Sequence, residues 1–138
     1  MGYETKLFIV EKGNRFFTNW KTGEKEKFIG EIINGKEMFY ADLIASFDLC
    51  KCYSVSDVMR KYPDTDSYIY MEDGNTELIE DRYGEPLKEI PLADAVEILE
   101  EAANEDDYRR FAPCLALLEA LYNNKDKWGE IVVLHYGY

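Results

Sequence analysis

One histidine, three cysteines and no long apolar run are all this chain offers the commonest reaction chemistries, and each scarcity removes a class of function. His135 stands in "VLHYGY" with no G-x-S-x-G elbow or other nucleophile context in the sequence, so it reads as a structural residue at the end of a core strand. Cys50 and Cys52, in "LCKCYS", lie two positions apart, which is neither a zinc half-site nor a redox motif. With Cys114 they make an odd number and read as free thiols of a reducing compartment. The strongest apolar run, "IVVLHYGY", is far short of the roughly 20 residues that cross a bilayer. The start, "MGYETKLFIVEKG", lacks the basic stretch and cleavage site of a secretory leader. A cytoplasmic protein without membrane contact is expected. Glycines are scattered through turns with no Walker or Rossmann spacing, so no cofactor is expected either.

What the chain does have is negative charge, concentrated in one place. The net charge is -12. Residues 64–107 hold 16 Asp and Glu against two basic residues, Arg82 and Lys88, for a net -14, leaving the other 94 residues at +2. Phosphate backbones are bound by Lys and Arg, so direct nucleic-acid binding is disfavoured.

The length, 138 residues, fits one domain over 1–138. "ETKLFIVEK" reads as a strand, and Asn34-Gly35 between "FIGEII" and "KEMFYADLIASF" is the strongest hairpin signal, because both residues tolerate the positive φ of a type I′ turn. "SVSDVMRKYP" reads as a short helix capped by Ser54 and stopped by Pro63. Strands return in "SYIYME" and "TELIED", followed by a turn at Tyr83–Pro86. From Pro91, "LADAVEILEEAA" places Leu92, Ala95, Val96, Leu99, Ala102 and Ala103 on one helical stripe, with Asp94, Glu97, Glu100, Glu101 and Glu105 away from it. A further helix in "EDDYRRFAPCLALLEALYNN", capped by Asp106 or Asp107, turns Phe111, Leu115, Leu118 and Leu121 or Tyr122 inward, with a kink or restart at Pro113. Ile131–Leu134 suit a strand buried on both faces. The expected fold is α+β: an antiparallel sheet of about five or six strands, packed on one side by two or three helices, with the last strand inside the sheet.

Metal chemistry finds little support. Asp64-Thr65-Asp66 begins like a calcium loop, but Tyr68, Ile69 and Asn75 occupy the fifth, sixth and twelfth positions, where a ligand, Gly and Glu are required. "YPD" at 62–64 could open a Pro-Asp nuclease motif, yet no Asp/Glu-x-Lys follows, and Glu85 and Lys88 are wrongly spaced to share a strand face. No catalytic or metal residue is assigned. The acidic segment then reads as a contact surface: Glu97, Glu101 and Glu105 are successive i, i+4 neighbours, and each like-charge pair costs a few tenths of a kcal/mol. An array of carboxylates resembles a phosphate backbone and would be steered to a basic groove.

"MGYETKLFIVEKG", "YRRFAPCLALLEALY" and "WGEIVVLHYGY" resemble small uncharacterised proteins encoded by bacteriophages. The resemblance implies a setting, binding and blocking a host factor such as a defence nuclease, and carries over no functional residue. Taken together, the expectation is a non-catalytic inhibitor of a host protein that has a basic nucleic-acid-binding groove. Its contact residues are Glu72, Asp73, Glu80 and Asp81 in the hairpin and Glu97, Glu100, Glu101, Glu105, Asp106 and Asp107 at the helix. The alternatives are a metal-dependent hydrolase of nucleotides or nucleic acid, and a protein that sequesters a signalling nucleotide, for which Arg15, Arg109 and Arg110 are the available cations.

Overall fold

Two-residue alternation in the first strand and the last decides which side chains meet in the centre of the molecule. In the computed structural model, which describes residues 4–12, 16–18, 20–27, 31–33, 35–51, 53–71, 76–105 and 112–138, β1 (Thr5–Lys12) lies between β5 (Lys36–Cys50) and β9 (Glu130–Gly137), antiparallel to both. Leu7 and Ile9 of β1 and Ile131 and Val133 of β9 point to one face; Phe8, Val10, Val132 and Leu134 point to the other. All are buried, and full burial of each such side chain stabilises the fold by about 1.5–3 kcal/mol.

The chain continues from β1 through a separate two-stranded sheet, β2 (Phe16–Thr18) and β3 (Lys25–Lys27), to β4 (Glu31–Ile33), which pairs with the start of β5. The pairing of Ile33 with Lys36 and the positive φ of Gly35 (77°) match the expected tight turn; Asn34 lies outside the described residues. After β5 come α1 (Tyr53–Met59), β6 (Ser67–Tyr70), β7 (Glu77–Leu78), β8 (Lys88–Pro91), α2 (Leu92–Glu105), α3 (Ala112–Asn123) and a 3-10 turn over Lys125–Lys127 that leads into β9. The main sheet has seven strands in the order β7-β6-β5-β1-β9-β8, with β4 also on β5. The last strand is thus interior, as expected.

The sheet is mostly antiparallel rather than strictly so. β5 and β6 run parallel, Phe39 beside Ser67 and Tyr40 beside Tyr68, because α1 carries the chain back between them. The same region curls the sheet round. Residues 63–65 hydrogen-bond to β8: the Thr65 N–H donates to the Leu87 carbonyl and the Glu89 N–H to the Pro63 carbonyl, both at 2.9 Å. One residue on, the Phe39 N–H of β5 donates to the Asp66 carbonyl at 2.7 Å. Strong curvature is aided by β5, whose register against β1 slips at Ile44 and at Leu49.

Three helices cover the outer face, where Val55 and Met59 of α1, Ala95, Leu99 and Ala102 of α2, and Cys114, Leu118 and Leu121 of α3 meet Leu7, Ile9, Leu49, Ile90 and Val133. Local details differ from the sequence reading. Ser54 is inside α1 rather than its cap, and Pro91 ends β8, pairing with Val132, so α2 starts one residue later. Pro113 falls in the first turn of α3, where a missing N–H costs nothing; Asp106, Asp107 and Phe111 lie outside the described residues. In α3 Leu118 and, of the pair Leu121 and Tyr122, Leu121 turn inward, and Cys114 joins them.

Candidate functional site

The apolar stripe of α2 faces the sheet, which leaves its carboxylates on the other side. Glu97, Glu100 and Glu101 are exposed. The end of α3 lies beside the first half of α2, and between them runs an open groove of about 700 Å³ lined by Ala93, Val96, Glu97, Glu100, Glu119, Tyr122 and Asn123. Neither helix contains Lys or Arg. The arrangement works against helix stability twice: Glu97 and Glu101 repel at i, i+4, and carboxylates in the second half of α2 face the negative end of its dipole with no basic residue in the last turn. At one edge Lys125 Nζ lies 5.0 Å from the centre of the Tyr122 ring, so the groove offers carboxylates along its length and an aromatic ring at its end.

Of the residues expected in the contact surface, the structure brings Glu97 and Glu100 together in this groove, with Glu101 on the same exposed side and Glu105 closing α2. Glu72, Asp73, Asp106 and Asp107 lie outside the described residues. Glu80 is exposed but lines a different cavity. Asp81 departs from the expectation: only 8% exposed, its Oδ1 accepts the backbone N–H groups of Tyr83 at 2.8 Å and Glu85 at 3.0 Å, fixing the turn at Gly84. An aspartate two residues before a turn does this commonly, and its carboxylate is occupied there. Glu119 was missed. Its signal was the short connection between the two helical patterns, which favours antiparallel neighbours and so sets the end of α3 against the start of α2.

The remaining polar groups are mostly satisfied by one another. Asp64 contacts Lys88 on the strand paired with it, and Asp66 contacts Lys12 Nζ at 3.0 Å. Lys12 also pairs with Glu89 at 3.0 Å, and Thr65 Oγ1 donates to Glu89 at 3.0 Å. Partial burial tends to lower the Lys12 pKa, yet the hydrogen bonds and charges of Asp66 and Glu89 outweigh it and hold the ammonium above its ordinary value. Each carboxylate at the start of the calcium-loop-like stretch therefore faces a lysine. Among the described residues no group of three or more His, Cys, Asp or Glu side chains is gathered as a metal-ligand set.

His135 Nε2 lies 3.0 Å from Ser56 Oγ, a pairing that the sequence did not signal. The two are 3% and 1% exposed, so the hydroxyl meets no substrate from solvent. Burial, reinforced by Arg60, pushes the His135 pKa down to about 4, and the imidazole is neutral at pH 7. Burial pushes the Cys114 thiol up to about 12, which makes it unreactive. No helix of the described residues is long and apolar enough to cross a membrane. Compared with models of protein families, with curated proteins and with solved structures, the chain matches none.

Proposed function

We propose that this chain is a non-catalytic binding protein, phage-encoded and acting in the host cytoplasm, that inhibits a host protein by presenting an acidic surface in place of nucleic acid. The observation that carries the reading is the groove between α2 and α3: Glu97, Glu100 and Glu119 line it, and the two helices that form it hold no Lys or Arg. Helices selected for stability alone would place basic residues near their C-terminal ends and alternate signs along their exposed faces. Among the described residues none of Glu97, Glu100 and Glu119 is in an ion pair, which favours a partner that supplies cations. A basic groove that normally holds phosphates is such a partner, and the exposed Tyr122 gives it an amphipathic anchor.

The test is capture from host lysate on immobilised wild-type protein and on the triple variant Glu97→Lys, Glu100→Lys, Glu119→Lys. A partner retained by the wild type, released by salt, displaced by a short DNA duplex and absent from the variant supports the reading. Because all three substitutions relieve like-charge repulsion, the variant keeps its melting temperature. Equal retention by both proteins, or retention that duplex DNA does not disturb, overturns it.

A further inference from the structure

A second opening lies far from the helices in kind. Where the β4–β5 turn meets the segments before β6 and β8, Ile33, Lys36, Met38, Asp64, Thr65, Ile79, Glu80 and Pro86 line a half-open cavity of about 190 Å³. At about 30 Å³ per liquid water this is room for about six waters, the bulk of an aliphatic amino acid. Part of its wall is apolar: Met38 is buried, and Ile33 and Ile79 are half-buried. Three backbone features fix the frame, namely the Ile33–Lys36 turn and the bridges Asp64 to Lys88 and Glu80 to Pro86.

The charges around this space are not interchangeable. Asp64 is engaged by Lys88. Lys36 Nζ donates to the Thr65 carbonyl at 3.1 Å, which holds the ammonium at the wall with two protons still to give. Glu80 is exposed on the cavity lining. Among the described residues neither Lys36 nor Glu80 is in an ion pair. One fixed cation, one carboxylate and an apolar wall in a space of this size match a small zwitterion with an apolar body.

We infer that this cavity binds a free α-amino acid with an aliphatic or thioether side chain, its carboxylate on Lys36, its ammonium on Glu80 and its side chain against Met38, Ile33 and Ile79. Both polar contacts are charge-assisted hydrogen bonds, so each ligand charge is recognised separately. The site stands apart from the α2–α3 groove and requires nothing of the inhibitor reading.

Titration of the full chain with L-leucine and L-methionine, followed by NMR shifts of residues around Met38, tests the assignment against N-acetyl-leucine, which lacks the ammonium, and leucinamide, which lacks the carboxylate. Saturable shifts with the two amino acids are expected, with both blocked compounds about tenfold or more weaker, the loss of one charge-assisted hydrogen bond. Lys36→Met and Glu80→Gln each weaken leucine binding by about the same factor, whereas Lys36→Arg retains it and Glu119→Lys leaves it unchanged. Circular dichroism melts confirm that the variants are folded. No saturation by either amino acid at tens of millimolar, or equal binding of N-acetyl-leucine or leucinamide, overturns the proposal.

Discussion

On its helical face the main sheet is covered by α1, α2 and α3, whereas on the other face Phe8, Val10, Ala41, Ile69, Leu87, Val132 and Leu134 are buried largely by the curl of the sheet itself. Each face carries a polar network. The helix-covered side holds the neutral Ser56–His135 pair, almost fully buried; the inner side runs out at Lys12, Glu89, Thr65 and Asp66, which are ionic where they can be and keep some solvent access. The difference teaches where each kind of polar group survives. Without a full ion pair, a deeply buried side chain is tolerated only when uncharged, while a lysine with a side chain 20% exposed keeps its charge by facing two carboxylates.

The comparison breaks most severely in the apolar part. Leu99→Ala, which opens a void between α2 and the sheet where Leu99 is fully buried, is expected to lower the unfolding free energy by about 2–5 kcal/mol in urea denaturation. A loss below about 1 kcal/mol would show that the helices cover the sheet without holding it.

Next comes the neutral pair. Ser56→Ala leaves a buried imidazole nitrogen without its hydroxyl partner and is expected to cost about 1–3 kcal/mol. The pair also sets a pH dependence whose sign is fixed. His135 has a folded pKa of about 4 against its ordinary 6.5, so between these values the unfolded chain binds more protons than the folded one. The contribution of neutral His135 is complete above about 6.5 and is lost as the pH falls towards about 4. Carboxylates titrate chiefly at the lower end of that window. Unfolding measured from pH 6.5 down to about 5 therefore isolates the histidine, and His135→Asn should flatten that limb. A slope identical in wild type and variant would remove His135 as its source.

The smallest effect belongs to the ionic network. Lys12→Met is expected to cost about 1–2 kcal/mol, reduced because solvent screens the partly exposed pairs, and the cost should shrink with added salt. Since the Lys12 pKa is raised, its contribution is present below its ordinary 10.5 and is lost as the pH rises through the folded value. A penalty unaffected by salt would mean that the aliphatic stem of Lys12, rather than its charge, does the holding.

Much of this frame was legible in the sequence because it is written locally. Ile131–Leu134 are four adjacent apolar residues, which only a strand covered on both faces can bury, and α2 declares its inward stripe by spacing alone. The parallel contact of β5 with β6 was not legible: two residues on each strand make it, and nothing in "MFYADL" or "SYIYME" names the other as partner. The strand–helix–strand order from 36 to 70 was the available signal, since a crossover helix returns the chain parallel. For the groove, the stripe of α2 exposed Glu97 and Glu100, whereas Glu119 depended on how two helices lie together. For Asp81, counting carboxylates could not distinguish one displayed to solvent from one folded under a turn.

The two slips of register in β5 bear on how the molecule behaves among copies of itself. Along Ala41–Cys50 that strand has β1 on one side, and among the described residues no strand lies on the other, since β6 reaches only Phe39 and Tyr40. Leu43 and Ile44 are exposed on this open margin, which in a flat strand would invite a neighbouring chain to continue the sheet. The bulges at Ile44 and Leu49 interrupt the two-residue rhythm that an incoming strand would have to match. Asp42 and Asp48 would meet further carboxylates on any second molecule of net charge -12. The irregularity that helps curl the sheet thus also makes this margin a poor template for a second strand.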